Sequence, residues 1–218
     1  MDFSLDFLGG ISHKIPLDVS LQGPISRRTS VMSVLQELVL EMTDLCPQRC
    51  RHCSSDSSPA RTSHMPYETA AKLISEAAAL GADQVSFGGG EPFCSRDLEK
   101  ALCQVTSAGM KAEVFTSGVL RSDGHPYELP GELVDRLAQL DGLKLIFSIH
   151  GACAGTHDYM TQVPGSFSCM LRSLELGRRC GVQCEMNFVP MRPNVAEFEA
   201  VVDLAAELGI TKVSVLRF

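Results

Sequence analysis

From about residue 38 onward, short apolar runs rich in β-formers alternate with segments of helical period. This is the pattern of a parallel sheet built from βα units. Residues 38–43 read as the first strand and 66–80 as its helix, with Pro66 suited to a first turn and Gly81 just past the end. The second unit is a strand over 84–88 and a helix over 95–108, where Ser95 is a plausible cap and Gly109 a stop. Residues 111–116 and then 130–140 form the third. A fourth strand over 143–149 leads through a loop to a helix over 166–180, with Ser166 able to cap and Gly181 ending it. The fifth strand is 184–189, followed by a helix capped by Asn194 that runs to about Leu208, and the sixth is 212–218. The pattern predicts an α/β fold, a partial barrel of about six βα units with parallel strands. The units share no repeated sequence, which argues against a solenoid.

Residues 1–37 do not follow this rhythm. Gly9-Gly10, Pro16, Gly23-Pro24 and the pair Arg27-Arg28 mark turns, and a hairpin or docking arm is expected there, ahead of a core over 38–218. A sixth parallel strand with no covering helix would leave an apolar face exposed, because such sheets are normally covered on both faces. A fragment of a longer protein is therefore expected.

Composition narrows the class. The 218 residues are 44% apolar, ample for a buried core, and carry a net charge of −7 without a Lys or Arg run long enough to track phosphates. Nucleic acid is not an expected partner. The N-terminus lacks a basic region followed by an apolar run, and no segment reaches membrane-spanning length, so a cytoplasmic protein without membrane partners is expected. Nine cysteines, three within eight residues, do not resemble a secreted disulfide framework. Cys94, Cys103, Cys153, Cys169, Cys180 and Cys184 are scattered and read as small core residues.

The first strand leads into Cys46-Pro47-Gln48-Arg49-Cys50-Arg51-His52-Cys53. Thiolates are soft ligands that select zinc or iron-sulfur clusters, and Pro47 hinders a regular helix here. A closed site of either kind takes four protein ligands, and no fourth Cys lies nearby in sequence. Three Cys on a cubane leave its fourth iron free; a zinc ion completed by His52 or His64 is the alternative. After the second strand comes Gly88-Gly89-Gly90-Glu91-Pro92, whose backbone can approach a ligand closely and whose N–H groups can grip polar atoms. Both motifs fall at the C-terminal ends of neighbouring parallel strands, where ligands of such sheets bind.

The CxxxCxxC loop, with His52 before its last Cys, and Gly89-Gly90-Glu91 resemble the cluster loop and the GGE motif of the radical S-adenosylmethionine (radical SAM) superfamily, over about 38–218. The resemblance implies that Cys46, Cys50 and Cys53 each hold one iron of a 4Fe-4S cluster. The methionyl amino and carboxylate groups of S-adenosylmethionine would chelate the fourth, and Gly89, Gly90 and Glu91 would contact the amine. Thr116-Ser117-Gly118 is similar to the family's Thr-Asn-Gly turn, with Ser for Asn. Ser148-Ile149-His150-Gly151 resembles the segment whose Ser approaches ribose or carboxylate, with His150 where Asp is common. The stretches 157–161 and 165–167 resemble members carrying an additional C-terminal iron-sulfur (SPASM-type) domain, many of which have Arg where this chain has Thr161. Asn187 is placed to bond the ribose and Leu216 to face adenine. His150 and His157, beyond the fourth strand, are expected on the substrate face.

The implied activity is reductive cleavage of S-adenosylmethionine to a 5′-deoxyadenosyl radical that takes hydrogen from a substrate, a peptide or a natural-product or cofactor precursor. The electron would come from flavodoxin or ferredoxin, and no side chain is needed as a general base for the first step. A non-catalytic zinc or iron-sulfur module is the competing expectation. His125 reads as a solvated loop residue, and Arg178-Arg179 as helix-end charges.

Overall fold

The computed structural model describes residues 35–216, so the expected N-terminal arm and the pair Arg27-Arg28 lie outside the described residues. Six parallel strands form one sheet: β1 (Glu37–Thr43), β2 (Gln84–Gly89), β3 (Lys111–Thr116), β6 (Leu143–Ile149), β7 (Gln183–Phe188) and β8 (Val213–Val215). They lie in that order, every neighbouring pair parallel. Among the described residues β1 and β8 do not pair, so the arc stays open, the partial barrel the pattern predicted.

Helices α1 (Tyr67–Ala79), α2 (Leu98–Ser107), α3 (Gly131–Leu137), α5 (Ser166–Arg179) and α6 (Phe198–Glu207) alternate with the strands. Alternate strand residues point to opposite faces, and on one face Leu40, Met42, Val85, Phe87, Ala112, Val114, Leu145, Phe147, Met186 and Phe188 are buried in the core. The other face differs. Register aligns Ser86 with Glu113, Glu113 with Lys144, and Ser148 with Asn187, a concave surface that is polar and charged. Lys144 bridges Glu113 at 2.8 Å and Glu185 at 3.0 Å, and Lys212 reaches Glu185 at 3.0 Å. Burial alone would push Glu185 up, but Lys212 and Lys144 hold it below the ordinary carboxylate value. At the edge, Val215 is 49% exposed.

Two elements depart from the sequence expectation. Residues 119–128, read as a polar stretch containing a loop His125, form an antiparallel hairpin of β4 (Val119–Ser122) and β5 (His125–Glu128). The loop expected before α5 contains a helix, α4 (Ala154–Thr161), whose weak amphipathicity hid it.

Capping also differs. Ser95 lies three residues ahead of α2 and accepts from the Asp97 N–H. Ser166 is the first residue of α5, and Asp158 of α4 accepts from the N–H groups of Gly165 and Phe167. Asn194 makes no side-chain cap and instead donates to the carbonyls of His150 and Val189, tying the chain ahead of α6 to the ends of β6 and β7. Of the cysteines expected in the core, Cys169 is buried, whereas Cys103 and Cys153 are exposed. Their positions on an outer helix face and ahead of a helix are not read by composition.

Candidate cofactor site

The loop after β1 is held from two sides. On one, Cys46 N–H donates to Ser58 O and Asp44 N–H to Ser63 O, closing the loop on its own return. On the other, the N–H groups of Arg49 and Arg51 donate to Thr161 O at 3.1 Å and Met160 O at 2.9 Å. The last carbonyls of a helix have no partner within it, so the C-terminus of α4 offers acceptors to the loop. Gln162 adds a side-chain bond to Arg49 O. Thr161, fully buried, bonds Ser166 Oγ at 2.7 Å and does not line the cavity described below.

The glycine run explains why two loops can lie this close. A Cβ on Gly90 would stand 2.3 Å from Leu45 O, and one on Gly89, whose φ is +95°, would stand 2.8 Å from Thr43 O. Gly90 N–H donates to Thr43 O at 2.7 Å and Glu91 N–H to Leu45 O at 2.9 Å. These N–H groups brace the cysteine loop, so their expected use as ligand grips is taken up within the protein. Gly88 differs from its neighbours: a Cβ there meets nothing within 4 Å, leaving a cradle that a side chain would fill.

Glu91, 1% exposed, accepts from Thr116 Oγ1 at 2.7 Å, Ser117 N at 2.8 Å, Ser117 Oγ at 2.5 Å and Phe93 N at 3.3 Å. Burial pushes its carboxyl up, against the pull of those bonds. Each oxygen already accepts two bonds, so Glu91 stands as the brace between the glycine run and the turn after β3. The sequence expected it to meet an amine directly.

These parts enclose a cavity of about 370 Å³ at the C-terminal ends of the strands. The ten residues singled out from sequence, Cys46, Cys50, His52, Cys53, Gly89, Gly90, Glu91, Ser148, Asn187 and Leu216, all line it. So do Gln48, Gly88, Phe115, Ser117, His150 and Val189. Gln48 and Phe115 carry no motif; an inward strand position was the available signal for Phe115, and nothing local distinguished Gln48. His52, His150 and His157 form a row, the last two buried and His52 partly so, with ring centroids 4.5 Å and then 5.3 Å apart, and the His150 backbone N–H donates to His157 Nδ1 at 3.2 Å. Burial lowers all three imidazoles, His157 to about 4, so the row is neutral near pH 7. His150 lines the cavity; His157 lies behind it.

The donor set fits an iron-sulfur cluster. Burial pushes the thiols of Cys46 and Cys50 up, Cys50 to about 12, so either thiolate needs a cation beside it. His64, the other candidate fourth zinc ligand, instead bonds Asp97 at 2.9 Å and lies outside the cavity. A cubane places each thiolate on a different iron, and three cysteines lining one cavity suit it.

The sequence profile described as the Radical SAM superfamily matches residues 40–205. The chain is 31% identical over 172 residues to an AdoMet-dependent heme synthase of Methanosarcina barkeri, covering 78% of this chain and 46% of that protein. It is 30% identical over 179 residues to a PqqA peptide cyclase of Gluconobacter oxydans, covering 82% of this chain and 48% of that one. The chain thus spans about half the length of these curated relatives. Among solved structures, Streptococcus suis SuiB bound to its precursor peptide SuiA superposes with a TM-score of 0.72 at 19% identity, covering 85% of this chain and 40% of that one, a likeness of fold.

Proposed function

Since this chain belongs to the radical SAM superfamily and is an enzyme, we propose that Cys46, Cys50 and Cys53 hold a 4Fe-4S cluster at which S-adenosylmethionine is cleaved to start radical chemistry on a peptide. The observation that carries this reading is the convergence of the three thiols, the glycine run and the ends of β6 and β7 on one cavity. When bound, cluster and S-adenosylmethionine together supply a 5′-deoxyadenosyl radical able to take hydrogen from an unactivated carbon.

The protein's own contribution is placement and exclusion of water. Gly88 leaves the floor bare, and the brace from Gly90 and Glu91 to the cysteine loop keeps the sulfurs fixed relative to β2. Ser148 and Asn187 face each other across β6 and β7 as hydrogen-bonding partners for carboxylate and ribose, and Asn187 Oδ1 is buried without a partner. Leu216, 48% exposed, would supply an apolar edge for the adenine, and His52, which lines the cavity with the three cysteines, would stand beside the cluster. Desolvation by Phe115 and Val189 strengthens each polar contact within the cavity.

A peptide substrate is supported by the peptide cyclase relative and by SuiB, which is bound to a precursor peptide; the heme synthase keeps a cofactor precursor as the competing class. Flavodoxin or ferredoxin is the proposed electron donor. A reducing compartment, the cytoplasm, suits nine free thiols. Among the described residues no helix is long and apolar enough to cross a membrane.

The test is oxygen-free reconstitution with iron and sulfide, then dithionite and S-adenosylmethionine, reading cluster absorbance and 5′-deoxyadenosine. Both should be present in the wild type and lost in Cys50→Ala. A colourless protein holding stoichiometric zinc would overturn the reading.

A further inference from the structure

Gln48 is 2% exposed, sits between two of the cysteines and lines the cavity, yet carries a polar side chain where an apolar one would be cheaper to bury. Its Oε1 accepts from the Cys50 thiol at 3.3 Å, while its Nε2 is buried without a partner. An orphaned amide donor costs about 1–3 kcal/mol, so its retention calls for a state in which it is used.

The three sulfurs show which state that is. The Gln48 backbone N–H bonds the Cys46 sulfur, and the Ser57 N–H donates to the Cys53 sulfur at 3.4 Å. Both are donor-to-sulfur contacts suited to a thiolate. Cys50 has its own backbone N–H and, from elsewhere, the Gln48 amide, which faces it with oxygen. A thiolate bound to iron has no proton to give, so that oxygen would face a sulfur that can only accept. Turning the amide by half a rotation about its last bond exchanges two groups of nearly equal size. It aims the orphaned N–H at the sulfur and turns the oxygen into the place the nitrogen held.

We infer that Gln48 is the residue that tunes this site: with the cluster bound, its side-chain amide donates an N–H···S bond to Cys50 and raises the cluster's reduction potential. The inference rests on the four-iron reading above. Reduction adds negative charge to the cluster and its sulfurs, so a donor held against sulfur stabilises the reduced form more than the oxidised one. Gln48 touches a ligand and not the reacting atoms, and is a positioning residue.

The test is an EPR-monitored redox titration of reconstituted wild type and Gln48→Met, a replacement of similar shape without the amide. At equal iron and sulfide content, the variant should show a lower midpoint, with the reduced-to-oxidised ratio at fixed poise falling about tenfold, about 59 mV for a one-electron couple. An unchanged midpoint in a fully loaded variant would overturn the inference alone. Should the variant not take up the cluster, wild type carrying ¹⁵N in its glutamine side chains decides. Hyperfine coupling of a side-chain ¹⁵N to the reduced cluster supports the bond, and its absence overturns it. A wild type that takes up no four-iron cluster overturns the functional reading and this inference with it, and is recognised before any variant is made.

Discussion

The two faces of the six-stranded sheet follow opposite rules. The convex face is a continuous apolar layer in which Phe87, Phe147 and Phe188 are fully buried. The concave face carries Ser86, Glu113, Lys144, Glu185 and, nearest the cavity, Ser148 and Asn187. The usual expectation that a parallel sheet is apolar on both sides holds for one side only. Stability is concentrated on the face that helices cover, while the other is left to hold charge and ligand. The same division is expected to separate residues whose loss destabilises the protein from those whose loss spares the fold and weakens the site.

The strongest way to break this comparison is Phe147→Ala, which removes a fully buried ring from the convex core and should cost about 3–5 kcal/mol in urea unfolding. A cost below 1 kcal/mol would mean the convex layer does not carry the fold. Next comes pH. His157, 1% exposed, is held at about 4, below its unfolded value of about 6.5, so between those values the unfolded chain binds the extra proton. Stability should rise with pH through that window, and acidification from pH 7 towards 4 should remove up to about 3 kcal/mol. His157→Gln should flatten the slope, measured by urea midpoints across pH 4–7.

Gly90→Ala comes third. Its Cβ would meet backbone at 2.3 Å, so the cysteine loop must shift, at about 1–3 kcal/mol, with S-adenosylmethionine affinity falling alongside. Equilibrium unfolding and calorimetric binding should both register it. Smallest in stability is Ser148→Ala on the concave face, expected within about 0.5 kcal/mol of wild type while weakening S-adenosylmethionine binding. If instead it unfolded the protein and left affinity intact, the division of labour between faces would be wrong.

Much of the site was legible because its chemistry is local. Three thiols in eight residues and a glycine run after a strand announce themselves without tertiary context. The long periodic helices and apolar strands were legible for the same reason. What escaped was whatever depends on a distant partner. Helix α4 has eight residues and a weak apolar face, and it is stabilised by what it holds, the Arg49 and Arg51 N–H groups. Nothing in the neighbours of Glu91 foretells Thr116 and Ser117 arriving from the next strand to bond its carboxylate. Ser166 and Asn194 have capping chemistry, but their hydroxyl and amide groups were claimed elsewhere in the fold. Ser95 spends its hydroxyl on the Asp97 N–H, two residues on and still ahead of α2.

By itself the sequence determined the parallel α/β architecture, the six-strand count and the two loops that meet at the strand ends. Side-chain period and turn chemistry operate over a few residues and are written in the order of the chain. Only the tertiary structure decided which polar groups are satisfied by the protein and which are left for a ligand. The Gly90 and Glu91 N–H groups and the Glu91 carboxylate are spent within the fold, whereas the Gln48 amide nitrogen and Asn187 oxygen stay buried without partners. Hydrogen bonding is a matter of contacts between elements far apart in sequence, and no local pattern records how those contacts are shared.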